Sequence, residues 1–319
     1  MKPYFLVVNK PAGITSHDVV AAIRAVTGVK KVGHTGTLDP FATGVLPIAL
    51  GGSTRLIQFL DESLKVYDAL IRFGTATDTG DPTGQVIREA PLPTQDEAEV
   101  RAVLEGFLGP QLQTPPAYSA VKVRGRPLYD YARKGETVEV KARPIHIYHL
   151  ELQSYDHEHL RVVITCSRGT YARVLADDIA TALGSAGHLE ELRRDASGPF
   201  LLEQSIDFET LAGLVSAEAG LGWHEVLLAR RKDSRVPWRP RDDVRQDLLP
   251  WLQEPIHALG HLPLLDVDQS TAERILRGGP APEAPPGVPA GGRFLLVCGA
   301  DVVGVGEVQE RGPAVIRLV

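Results

Sequence analysis

The sequence predicts an α+β protein that ends in a small second domain, and three features of the chain carry this prediction. Residues 65–74 alternate apolar and polar side chains, as a half-buried strand does. Residues 15–28 and 94–108 show the apolar spacing of amphipathic helices. Three β-rich runs between residues 293 and 318 close the chain, which is typical of a small domain of mostly antiparallel strands.

Length and composition narrow the class of protein. The 319 residues are 43% hydrophobic, carry a formal charge of −6 and include two cysteines, Cys166 and Cys298, far apart in apolar stretches. A disulfide framework is therefore not expected, and any binding of nucleic acid must come from a local basic surface. No apolar run is long enough for a membrane span or a signal peptide, so we expect a cytoplasmic protein.

Local patterns assign the elements in order. Thr15 with Asp18 and Thr94 with Glu97 have the spacing of capping boxes and predict where two helices begin. We assign strands to residues 4–9, 65–74, 146–152, 160–166 and 262–267, and helices to residues 15–28, 53–60, 94–108, 171–183 and 270–277.

Residues 33–44 form a glycine-rich stretch that presents one carboxylate and one imidazole. Glycines at both ends and in the middle allow backbone angles that other residues avoid, and Pro40 makes Asp39 extended. The glycine spacing matches neither phosphate-binding pattern. By chemistry alone, Asp39 and His34 belong either to a shaped catalytic loop or to a simple connector.

Two further segments stand out by charge. Residues 115–143 hold seven basic and three acidic residues with interleaved tyrosines, which suits RNA but also a solvated hairpin. Arg173 falls in the first turn of a predicted helix, where the helix dipole disfavours a cation. A tertiary carboxylate partner would explain Arg173; a surface arginine is the alternative.

The stretch at 33–44 resembles the signature of the tRNA uridine-55 pseudouridine synthases of the TruB type. The resemblance runs continuously over residues 5–210, and its motifs are residues 9–18, 33–44, 65–67, 113–122, 168–173 and 192–194. It implies a mixed, largely antiparallel central sheet flanked by helices (the pseudouridine synthase fold). The tail is similar to a PUA domain, a small β-barrel that binds RNA.

The resemblance also implies a domain organisation. We expect residues 1–250 to form the catalytic domain, with a basic RNA-contacting insertion at 110–150. Residues 223–250 match nothing in the family, and their prolines and mixed charges indicate a charged, exposed linker of unassigned role. Residues 251–319 form the PUA-like domain. We expect a monomer that binds the T-arm stem-loop of tRNA and no membrane.

The activity implied is isomerisation of uridine 55 in the T loop to pseudouridine, without metal or cofactor, after the base has been flipped out. Asp39 matches the catalytic aspartate, and whether it attacks the sugar, attacks the ring or removes a proton stays open. Arg173 matches its arginine partner, and Tyr67 the tyrosine stacked on the uracil. The remaining matches are Tyr171 and Leu192 as base contacts and His34 as a residue that holds the RNA loop open. Lys122 matches a lysine of the family motif, and we expect it to contact a phosphate.

Two other functions fit parts of the sequence. A tRNA-folding chaperone without catalysis needs only the basic segment and the terminal RNA module, and has no use for Asp39, Tyr67 and Arg173. The other is a subunit of an RNA-guided synthase, which works inside a multiprotein particle. The length and the lack of a long lysine-rich tail favour the stand-alone enzyme.

Overall fold

The computed structural model describes residues 2–61, 63–213, 215–216, 239–240 and 244–319. The strands of three or more residues are β1 (Tyr4–Lys10), β2 (Val32–His34), β3 (Thr43–Leu50), β4 (Leu64–Phe73), β5 (Thr75–Thr77), β6 (Val86–Glu89), β7 (Gly109–Gln113), β8 (Arg143–Tyr155), β9 (His159–Ser167), β10 (Gly187–Ser197), β11 (Leu264–Asp266), β12 (Arg293–Cys298), β13 (Asp301–Gln309) and β14 (Gly312–Leu318).

The helices are α1 (Ser16–Thr27), α2 (Glu97–Glu105), α3 (Leu128–Ala132), α4 (Ala172–Ala182), α5 (Phe208–Gly213), α6 (Val244–Asp247), α7 (Pro255–Ala258) and α8 (Gln269–Leu276). The capping box of Thr15 and Asp18 is confirmed at the start of α1. The one predicted at Thr94 is wrong: Asp96 caps α2 together with Glu99, since a short carboxylate is the stronger N-cap. The helix predicted at 53–60 is two 3₁₀ turns, Gly51–Arg55 and Ile57–Phe59.

Contacts divide the chain into two compact units. Unit 2 comprises Asp39–Gly44 and Glu62–Ser197. Its sheet runs in the order β3, β10, β4, β9, β8, β7, where β3 contributes Thr43 and Gly44. The β3–β10 pair is parallel and the other pairs are antiparallel. Helix α4 packs against β10 and β4, and α2 against β8, so the expected mixed, largely antiparallel sheet with flanking helices is confirmed.

Unit 1 comprises Met1–Leu38, Val45–Asp61 and Gly198–Val319. Strand β1 lies between β3 and the short strand Ile206–Asp207, with which it pairs in parallel. The apolar core of this unit joins both ends of the chain: Phe5 of β1 belongs to the same buried cluster as Leu295 of β12 and Val305 of β13. The C-terminal strands are therefore stabilised by packing on the N-terminal strand.

The C-terminal strands form a separate four-stranded sheet in the order β11, β12, β13, β14. The expected closed barrel is not found among the described residues, because β11 and β14 remain at opposite edges of the sheet. The β11–β12 pair is parallel, and the other two pairs are antiparallel as expected. The domain boundary at residue 250 and the PUA-like character of residues 251–319 stay predictions.

Two sequence-based expectations concern other parts of the chain. The charged linker at 223–250 lies largely outside the described residues, so its role stays open. In the part of the chain that the structure describes, no helix is both long and apolar enough to cross a membrane.

Candidate active site

Asp39 and Arg173 form a two-point ion pair in unit 2. Arg173 Nε lies 2.8 Å from Asp39 Oδ2, and Nη2 donates to Oδ1 at 3.4 Å. The Arg173 side chain is only 5% exposed, whereas that of Asp39 is 33% exposed. The arginine predicted to need a carboxylate partner has one, and the carboxylate remains open to solvent on one side.

The Arg173 guanidinium is fixed by other groups besides Asp39. Nη1 donates to the Thr79 carbonyl at 2.6 Å, and Nη2 donates to the Tyr118 carbonyl at 2.9 Å. A second buried carboxylate, Asp81, lies 4.0 Å from Nη1. Asp81 is itself held by Thr79 Oγ1 and by the backbone N–H of Thr83. These partners leave the guanidinium little freedom to leave Asp39.

Tyr67 lies on the buried face of β4 and is 7% exposed. Its register partner on β10 is Arg194, which is fully buried and donates a hydrogen bond to the Tyr67 hydroxyl. Burial raises the pKa of Tyr67, and the positive charge of Arg194 offsets part of that rise. The negative charge of Asp39 adds a smaller upward contribution to the same pKa.

Two further predicted site residues lie on α4 and β10. Tyr171 is the N-cap residue of α4, two positions before Arg173. Leu192 is buried on β10 and pairs with Ala69, two positions beyond Tyr67 on β4. Unit 2 thus contains five predicted site residues on three elements and one loop: Asp39, Tyr67, Tyr171, Arg173 and Leu192.

Gly44 shows why one glycine of the signature is needed. It has a φ of +98°, and a Cβ atom there would lie 2.3 Å from the Arg194 carbonyl. The glycine therefore permits the close β3–β10 approach that follows Asp39. Gly33 and Gly36 have no positive φ, so the expectation of unusual backbone angles holds for Gly44 alone among these three.

His34 and Lys122, the two remaining predicted site residues, lie on other elements of the described chain. His34 lies in unit 1 on β2, which pairs with β3. The His34 ring meets the His17 ring edge-on, with 5.6 Å between the ring centres. Lys122 is exposed on a two-residue strand of the basic segment. Their predicted roles toward RNA remain predictions.

The tyrosines of the basic segment have partners inside the segment itself. The Arg126 guanidinium lies 3.7 Å from the centre of the Tyr131 ring and pairs with Glu136. Arg133 covers Tyr129 at 5.3 Å. Arginine–aromatic stacking therefore stabilises this segment, and one face of each ring is already in contact with a cation.

Three residues that belong to this arrangement were not predicted: Asp81, Gln113 and Arg194. Asp81 lies in a polar turn of the chain, and a turn aspartate looks the same in the sequence whether or not it faces an arginine. Gln113 and Arg194 fall within the motifs, yet their partners lie 58 and 127 residues away in the chain. No local pattern reveals contacts at that separation.

Two protein-family profiles together match residues 24–229 of the chain. A profile described as "TruB family pseudouridylate synthase (N terminal domain)" matches residues 24–172. A second, described as "tRNA pseudouridylate synthase B C-terminal domain", matches residues 173–229.

Similar proteins are named for the same activity. A protein of Geobacter sulfurreducens named tRNA pseudouridine synthase B is 43% identical over 309 residues, which is 95% of this chain and 92% of that protein. One of Bacillus licheniformis with the same name is 46% identical over 239 residues, covering 73% of this chain and 77% of that protein. Among solved structures, a Cbf5-Nop10-Gar1 complex contains a chain with a TM-score of 0.64 and 25% identity. That match covers 98% of this chain and 82% of the other.

Proposed function

Because the chain belongs to the TruB family of pseudouridylate synthases, we propose that it isomerises uridine 55 in the T loop of tRNA. It is an enzyme that converts uridine in tRNA to pseudouridine. The bond between the sugar C1′ and the uracil N1 breaks, the uracil rotates, and a bond forms between C1′ and C5. The hydrogen on C5 leaves as a proton and N1 gains one, so the product is an isomer of the substrate.

The observation that carries the proposal is the ion pair of Asp39 and Arg173. A guanidinium within 3 Å favours the ionised form of a carboxylate, which a nucleophile or a base must have. The partial exposure of Asp39 leaves room for a substrate atom to approach it. Its fixed partner keeps the carboxylate oriented, which is what positioning by an enzyme requires.

The uracil must leave the stacked RNA loop to reach Asp39. We assign the ring of Tyr67 as the platform on which the flipped base stacks, with Tyr171 and Leu192 on its borders. The hydrogen bond from Arg194 fixes the orientation of the Tyr67 hydroxyl. These assignments are supported by the grouping of the side chains around Asp39.

We propose that the RNA on either side of the flipped base contacts the basic segment at 115–143. Lys122 is exposed and can contact a phosphate. His34 can occupy the stacking space that the flipped base vacates. We propose that the enzyme works as a monomer in the cytoplasm on the T arm of tRNA. We propose that it needs neither metal nor cofactor, as the family resemblance implies.

Pseudouridine mapping after incubation with a bare T-arm stem-loop tests this proposal. We expect tritium release from 5-tritiated uridine and a single modified position, with no guide RNA or protein added. Activity that appears only with partner proteins would indicate the guided class. Binding and refolding of tRNA without any pseudouridine would indicate a chaperone.

A further inference from the structure

The first turn of α4 is held by a side chain from the end of β7. Gln113 Oε1 accepts a hydrogen bond from the Tyr171 backbone N–H at 2.8 Å, and its Nε2 donates to the Tyr171 carbonyl at 3.1 Å. Gln113 is only 5% exposed. A single buried amide therefore bonds to both backbone polar atoms of Tyr171, as a neighbouring strand would.

The start of α4 lacks another anchor of this kind. Tyr171 is the N-cap residue, but its own side chain makes no capping hydrogen bond. Its carbonyl accepts from the N–H groups of Val174 and Leu175, while its N–H points away from the helix and has no acceptor in it. Gln113 provides that acceptor from a different element.

Gln113 is itself fixed by the sheet and begins a segment that reaches Arg173. It is the last residue of β7 and pairs with Arg143 of β8. Five residues later, the Tyr118 carbonyl accepts from Arg173 Nη2. The segment 113–118 thus holds the first turn of α4 at two points, the backbone of Tyr171 and the guanidinium that pairs with Asp39.

We propose that Gln113 is a positioning residue for the isomerisation. Its amide fixes the backbone of Tyr171 and, through the first turn of α4, the place of the Arg173 guanidinium beside Asp39. The inference rests on the proposed function and names a residue that acts through Tyr171 and Arg173 without touching the reacting atoms.

A pair of methionine variants on one strand tests the inference. Gln113→Met keeps the length and apolar stem of the side chain and removes both hydrogen bonds. We expect its single-turnover rate on the T-arm stem-loop to fall by about 10- to 100-fold, because small misplacement of catalytic groups is costly. RNA affinity should stay within about threefold, since exposed basic residues supply most of it.

The control is Gln111→Met, two residues earlier on the same strand. It removes only a hydrogen bond from the side-chain amide to the Phe107 carbonyl and should keep the wild-type rate.

A second variant separates positioning from stability. In Gln113→Glu, a protonated carboxyl can donate and accept as the amide does, whereas a carboxylate can only accept. The ratio of its rate to that of the wild type should therefore rise as the pH falls, and Gln113→Met should show no such recovery. A ratio independent of pH, or a wild-type rate for Gln113→Met, would overturn the inference. In either case, pseudouridine formation by the wild type would leave the proposed function intact.

Discussion

The Arg173 guanidinium contacts the Asp39 carboxylate through two nitrogens, Nε at 2.8 Å and Nη2 at 3.4 Å. The arginine side chain is buried, whereas that of the aspartate is partly exposed. The cation is buried among two carbonyls and the Asp81 carboxylate, and the anion opens to solvent. Charge-assisted contacts of this two-point kind are strong and directional. The pair therefore supplies a fixed, accessible carboxylate.

Asp39→Asn should abolish turnover and spare RNA binding. The amide keeps the shape of the carboxylate but cannot act as an anionic nucleophile or base. We expect tritium release to fall by at least about a thousandfold, with the dissociation constant for tRNA within about threefold. Turnover at the wild-type rate in this variant would contradict the assigned role.

Arg173→Lys should lower the rate although it keeps the charge. An ammonium group cannot reach Asp39, the Thr79 carbonyl and the Tyr118 carbonyl at once, as the planar guanidinium does. We expect the single-turnover rate to fall about 10- to 1000-fold and the free energy of unfolding to fall by about 1–3 kcal/mol.

Arg161→Lys is the matched control for that change. Arg161 forms a similar two-point pair with Asp68 at 2.8 and 3.0 Å, but has no proposed part in the reaction. Its variant should keep the wild-type rate. Equal losses in the two variants would mean that Arg173 acts only in stability.

Tyr67→Phe and Tyr67→Leu should separate the ring from the hydroxyl. Phenylalanine keeps the flat face for stacking, whereas leucine removes it, so binding of the T-arm stem-loop should weaken more in Tyr67→Leu. Both variants leave the buried Arg194 without its phenol acceptor, and both should lower the free energy of unfolding by about 1–3 kcal/mol. Equal RNA affinities in the two variants would argue against stacking.

Lys122→Gln should weaken binding without changing the chemical step. Removing one phosphate contact should reduce the slope of log affinity against log salt by roughly 0.7–0.9. The single-turnover rate at saturating enzyme should stay at the wild-type value. Arg101→Gln is the control, since Arg101 is an exposed cation on α2 that pairs with Glu97. An unchanged salt slope in Lys122→Gln would remove this residue from the RNA surface.

Cys166 should make the protein less stable in alkali. Burial raises the pKa of its thiol from 9.0 to about 11. The pKa of the thiol is higher in the folded state than in the unfolded state. The stability that the buried neutral thiol contributes is therefore fully present below pH 9 and is lost as the pH rises through about 11. It amounts to roughly 2–3 kcal/mol. Urea titrations between pH 8 and 11 should show a shallower decline for Cys166→Ala than for the wild type; parallel declines would contradict this.

The sequence predicted the elements well where the pattern was local. The alternation from Lys65 to Phe73 placed Tyr67 on one face of a strand, which is the buried face of β4. Of the two alternatives for Arg173, a carboxylate partner and a surface position, the structure shows the first. Predictions failed where neighbouring residues competed, as at the start of α2, where Asp96 and not Thr94 caps the helix. They also failed for the closure of the C-terminal sheet, which depends on pairing between strands far apart in the chain.

The amino-acid sequence by itself determined the strand and helix pattern, the signature around Asp39 and the family of the chain. Those features depend on spacing within short stretches, where side-chain periodicity and turn chemistry act. Only the tertiary structure decided that Arg173 lies beside both Asp39 and Asp81. The same holds for the hydrogen bond from Arg194 to Tyr67 and for those between Gln113 and Tyr171. Such contacts join residues that are distant in the chain, and they arise because buried polar groups must find partners wherever packing places them.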